Sequence, residues 1–148
     1  MTKETNWYDS FTALARHKKE GADYTVIARE VSGSTVSIVA PHGDRIEPHT
    51  AEIARAIAAE DFSLYVFNNA SPNNVYREMH IGSTKFDDAR CLALVAKTDV
   101  TVTIHGSKVK EQAVFLSAMD KKLESKLAAA FNKAGIRAEV ENHPYQTG

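Results

Sequence analysis

The chain has 148 residues, 25% of them charged and 43% hydrophobic, a size and balance that fit one globular domain over 1–148 with a real core. A formal net charge of −1 supplies no global field to draw the chain to nucleic acid or an anionic membrane, so neither is expected as a partner. No apolar run approaches ~18 residues and the opening MTKETNWYDS has no apolar h-region, so no transmembrane helix or signal peptide is read, and the expected compartment is the cytoplasm or the medium after lysis.

Residues 7–19 (WYDSFTALARHKK) space Trp7, Phe11 and Leu14 for one helix face, with Gly21 as a stop. The β-branched runs at 24–31 and 35–40 flank Ser32, Gly33 and Ser34 and read as a hairpin. Residues 50–60 read as a helix with Ile53, Ala54, Ile57 and Ala58 on one face and Pro48 in its first turn. SLYVF at 63–67 is a strand, and 68–74 is an Asn-rich loop. Residues 87–96 predict a helix carrying Leu92, Leu94 and Val95. The lone cysteine, Cys91, lies in its apolar run CLALVA, reads as a small core residue, and can form no internal disulfide. DVTVTIH at 99–105 is a strand ending at Gly106, whereas 108–119 is ambiguous. Residues 120–134 give the clearest helix, with Leu123, Leu127, Ala130 and Phe131 on one face and Gly135 as its stop, followed by a short strand at 136–140. This alternation predicts an α/β fold with a mixed sheet whose parallel part comes from the helix-linked strands.

Sites in open α/β sheets form beyond the carboxyl ends of the strands. Two segments put a histidine there: VSIVA-Pro41-His42-Gly43 and VTVTI-His105-Gly106. If the two strands are parallel, both imidazoles leave the sheet at one edge, and Glu47 is near enough to His42 to fold back toward it. Two imidazoles, one carboxylate and an open fourth position form the ligand set of a catalytic zinc site. Spacing alone leaves His49 or His80 open as a replacement for one ligand.

The run GSTVSIVAPHGDRIEPHTAEIARAIAAEDFSLYVF resembles the poly-γ-glutamate hydrolase family of phages and bacteria. MHIGSTKFDDARCLALV, TVTIHG, AVFLSAMDKKLESKLAAAF and GIRAEVENHP agree in order and spacing, so the resemblance spans roughly residues 24–143. It implies a zinc-carboxypeptidase-like fold, an open mixed sheet with helices on both faces. The implied zinc ligands are His42, Glu47 and His105, the set already picked by the strand ends. The implied reaction is hydrolysis of γ-glutamyl amide bonds in an anionic polymer. Arg45, Arg77, Lys85 and Lys108 lie on or near the motif loops as candidates to grip its carboxylates, and His80 is a candidate to bind substrate or the oxyanion.

The resemblance also sets an expectation of something missing. Family members continue into a strand with a QLE element whose glutamate is the expected general base, whereas this chain stops at HPYQTG. The expected fold is therefore truncated at its C-terminal side, with a partner chain as one way to complete the sheet. Asp44 and Asp87 are the local carboxylates that would have to stand in as base. The alternative function is a catalytically silent homologue that holds zinc or the polymer without cleaving it.

Overall fold

The computed structural model describes residues 8–73 and 76–140. The chain divides into two compact units, Met1–Gly106 and Ser107–Gly148.

The first unit holds α1 (Phe11–Ala15), β1 (Tyr24–Arg29), β2 (Val36–Ala40), α2 (Thr50–Ala58), β3 (Ser63–Asn69), α3 (Tyr76–Met79), a 3₁₀ turn (Ser83–Lys85), α4 (Ala89–Ala96) and β4 (Val100–Thr103). Its sheet is open and mixed, in the order β1-β3-β2-β4. β2 is parallel to both β3 and β4, and β1 is antiparallel to β3.

The expected β1–β2 hairpin does not form, because β3 lies between the two strands. Burial explains this order. β3 is buried at every position but one, and β2 is buried from Ser37 to Ala40, whereas β1 is largely half-exposed. Strands apolar on both faces belong inside a sheet, and the more polar strand belongs at its edge. The link from β2 through α2 to β3 is then a crossover between parallel strands.

The pleat sends alternate residues to two cores. Ile38, Ala40, Leu64 and Val66 meet α2 on one face, whereas Val39, Tyr65 and Phe67 meet α1 and α4 on the other. Helices therefore cover both faces, as expected. On α2 the expected face is corrected. Ala51, Ala54 and Ala58 are fully buried while Ile53 and Ile57 remain 46% and 43% exposed, so the smallest residues face the sheet and let the helix approach closely.

On the other face Phe11 meets Phe67 edge-on at 5.7 Å and Tyr24 edge-on at 5.6 Å. Tyr65 donates to buried Asp88 at 2.6 Å, and burial followed by that hydrogen bond pushes the phenol well above its usual range. Asp88 also caps α4 through the Arg90 amide, and Cys91 and Leu94 are buried while Leu92 is half-exposed. The first helix is shorter than its apolar spacing suggests, because Ser10 caps it only at the Ala13 amide and the chain turns after Ala15. Trp7 lies outside the described residues.

The second unit is a β-α-β element: β5 (Val114–Leu116), α5 (Lys121–Lys133) and β6 (Ala138–Val140), with the two strands paired in parallel. The ambiguous stretch at 108–119 thus contains β5. Asp120 caps α5 by accepting from the Lys122 and Leu123 amides, both at 3.0 Å, and Gly135 follows the helix at φ +80°, a conformation that favours glycine. Among the described residues no helix is long and apolar enough to cross a membrane.

Candidate metal centre

β2 and β4 run side by side with Val39 opposite Thr103, so the segments that follow them leave the same edge of the sheet. His42 follows β2 and is buried. Gly43 next to it donates to the Phe67 carbonyl at 2.7 Å. A Cβ at Gly43 would sit 1.7 Å from Asn68 Oδ1 and 2.6 Å from that carbonyl, so this position requires glycine. The chain then turns, with the Ile46 and Glu47 amides donating to the Gly43 carbonyl at 2.7 and 3.0 Å. Buried Thr50 donates to the carbonyls of both His42 and Glu47, tying the two ends of the turn to the start of α2.

Glu47 is the hub of the cluster. Its Oε1 lies 3.2 Å from His42 Nδ1 and 3.2 Å from His80 Nε2. Its Oε2 lies 3.4 Å from His105 Nδ1 and accepts from the Gly106 amide at 2.8 Å. The His80 ring stacks on His42 at 4.0 Å, and His105 is tilted against His42 at 5.2 Å. Burial opposes ionisation of Glu47, but the close approach of the His105, His42 and His80 ring nitrogens and the hydrogen bond from the Gly106 amide together hold the carboxyl well below the usual carboxylate range.

One buried side-chain atom in this cluster has no hydrogen-bond partner among the described residues. His42 Nε2 donates to the Ile81 carbonyl at 2.6 Å, since a carbonyl can only accept. In the neutral ring Nδ1 is then a bare lone pair, and it is buried without a hydrogen bond. It is close to Glu47 Oε1, yet the two atoms are not aligned as donor and acceptor. Four-coordinate zinc at 2.0–2.1 Å from its ligands separates them by roughly 3.3 Å. Glu47 Oε1 lies 3.2 Å from both His42 Nδ1 and His80 Nε2, and Oε2 lies 3.4 Å from His105 Nδ1, so each of these pairs has the spacing of neighbouring ligands on such an ion.

Glu47, His42, His105 and also His80 come together. The ligand atoms of His42, Glu47 and His80 all lie within 4.8 Å of one another, so His80 completes this tight group, whereas His105 approaches from the other carboxylate oxygen of Glu47 at 3.4 Å. His49, the other histidine left open by spacing, is exposed at the start of α2 and faces Glu52 at 3.3 Å. Asp44 is engaged elsewhere, its Oδ1 accepting from the Ala51 and Glu52 amides at the α2 N-terminus. Asp87 accepts from the Thr12 amide at 2.8 Å. Arg45 and Arg77 are exposed on segments beside the cluster, Lys85 is exposed with its Nζ 3.9 Å from Asp9, and Lys108 is exposed in the second unit. Ser83, whose Oγ lies 3.5 Å from His105 Nε2, was not singled out in the sequence, nor were the Ile81 carbonyl and the Gly106 amide.

An open mixed sheet that gathers imidazoles and a carboxylate beyond its parallel strands defines an α/β fold with a candidate metal site at its carboxyl edge. The chain belongs to the poly-gamma-glutamate hydrolase family, whose sequence model matches residues 8–148. Its fold is similar to that of a bacteriophage poly-gamma-glutamate hydrolase, with a TM-score of 0.87 and 25% identity, covering 95% of this chain and 68% of that one. It is equally similar to YndL in an apo, zinc-free form, with a TM-score of 0.86 and 27% identity, covering 96% of this chain and 68% of that one. In sequence it is 31% identical to the SPbeta prophage-derived protein YoqZ of Bacillus subtilis (strain 168), over 90% of this chain and 47% of YoqZ. YndL of the same organism is also 31% identical, over 93% of this chain and 54% of YndL. The chain thus spans about half the length of these curated relatives.

Proposed function

We propose that the protein is a zinc-dependent hydrolase of γ-glutamyl amide bonds in poly-γ-glutamate. The observation that carries this reading is the unsatisfied, buried Nδ1 of His42 facing the Glu47 carboxylate, in a chain of this family. The zinc-free description of YndL supports zinc as the ion.

His42 and His105 would hold the metal through Nδ1, with Glu47 between them. Both rings turn Nε2 toward an outer partner, Ile81 O and Ser83 Oγ, the usual arrangement of ligand imidazoles. When bound, the metal supplies Lewis acidity, activating water and polarising the scissile carbonyl. His80, with 38% of its side chain exposed, would donate from Nε2 to the carbonyl oxygen as charge develops there. Arg45, Arg77 and Lys85, exposed around the cluster, would pair with the carboxylates of the polymer.

A second reading is a catalytically silent homologue that binds zinc or the polymer. Asp44 supports it, because its carboxylate is already engaged at the start of α2 and is a poor candidate for general base. The outer edge of β4, unpaired among the described residues, is where a partner chain would complete the sheet. Zinc content and loss of poly-γ-glutamate viscosity, measured on one preparation, separate the readings. Zinc with cleavage supports the hydrolase, zinc without cleavage supports the silent homologue, and a metal-free protein without cleavage contradicts both metal readings.

A further inference from the structure

The turn between α3 and α4 touches every member of the proposed ligand set. Met79 and Ile81 are fully buried, while His80 and Ser83, on the same stretch, reach the cluster. His80 Nε2 lies 3.2 Å from Glu47 Oε1. The Ile81 carbonyl accepts from His42 Nε2 at 2.6 Å. Ser83 Oγ lies 3.5 Å from His105 Nε2. Glu47, His42 and His105 are therefore each contacted by a different residue of one tetrapeptide, HIGS at 80–83.

We infer that residues 80–83 form a positioning strap for the metal centre, with Ser83 as the positioning residue for His105 and the Ile81 carbonyl as the positioning group for His42. The inference rests on the metal reading above. A ring that ligates through Nδ1 carries its proton on Nε2, and the partner of Nε2 then decides both the tautomer and the plane of the ring. For His42 that partner is a main-chain carbonyl on a residue anchored in the core, so the ring is set by packing. For His105 the partner is a hydroxyl, which a single substitution removes. The strap thereby links the apolar packing of Met79 and Ile81 to the aim of both imidazoles.

Outer hydrogen-bond partners of ligand imidazoles typically change metal affinity by 10–100-fold. The test is zinc affinity by competition with a chromophoric chelator, on the full chain and on Ser83→Ala and Ser83→Thr, alongside the melting temperature of each metal-free protein. Ser83→Ala is expected to bind zinc about tenfold more weakly with an unchanged metal-free melting temperature. Ser83→Thr, which keeps the hydroxyl, is expected to recover most of the loss. Nitrogen NMR of the zinc-loaded natural sequence needs no variant, and both rings are expected to carry their proton on Nε2. Zinc affinity unchanged in Ser83→Ala, or a ring metallated at Nε2, overturns the strap while leaving the metal reading standing. A natural sequence that binds no zinc overturns the metal reading itself.

Discussion

The two strand ends that meet at Glu47 are built differently. The β2 end is part of the core: His42 is 2% exposed, its Nε2 is held by a backbone carbonyl, and Gly43 is pressed against Asn68 and Phe67. The β4 end lies on an edge strand. His105 keeps 35% of its side chain exposed, and its polar contacts run to Glu47 and the Ser83 hydroxyl. One imidazole is therefore fixed by the packed core, and the other by a few polar contacts at the sheet edge. Stability and metal binding should separate along this line.

The largest effect is expected from the paired glycines. Gly43→Ala forces a Cβ into Asn68 and the Phe67 carbonyl and is expected to cost about 3 kcal/mol in denaturant unfolding. Gly106→Ala meets Glu47, with its Cβ nearest at 3.1 Å, so its stability loss is expected to stay below ~1 kcal/mol while zinc binding weakens. Equal stability losses at the two glycines would remove the contrast.

The histidines sharpen it further. His42→Ala leaves the Ile81 carbonyl buried and unpaired, with an expected cost of about 2 kcal/mol together with loss of zinc. His105→Ala is expected to abolish zinc binding at a stability cost within ~0.5 kcal/mol. A His105→Ala protein that keeps stoichiometric metal would remove His105 from the ligand set.

The smallest effect concerns Cys91, buried in the core and outside the histidine cluster. Burial, and then the charge of Asp88, push its thiol up to about 12. Between the ordinary thiol pKa near ~8.5 and that value the unfolded chain ionises and the folded one does not, so this group lowers stability as pH rises through the window. The measured slope should flatten in Cys91→Ala, and thiol labelling at neutral pH should be slow until the protein unfolds.

Much of the site is legible in the sequence because strand ends are legible. Apolar runs closing on Pro41-His42-Gly43 and His105-Gly106 mark where parallel strands leave a sheet, and Glu47 lies within one turn of the first. The β1–β2 hairpin is misread because local turn chemistry at Ser32, Gly33 and Ser34 cannot register that β3, apolar on both faces, outcompetes the nearer neighbour. The α2 face is misread because hydrophobicity favours Ile53 and Ile57 where close packing favours alanine. Residue type also cannot announce a main-chain group, so the Ile81 carbonyl and the Gly106 amide become visible only with the backbone in place.

Zinc titration of the natural sequence beside Glu47→Gln tests the centre most directly, because Glu47 contacts His42, His80 and His105 together. The account predicts a single zinc bound by the natural sequence, and a Glu47→Gln protein that folds normally but binds zinc far more weakly. Equal zinc affinity in the two proteins would contradict it.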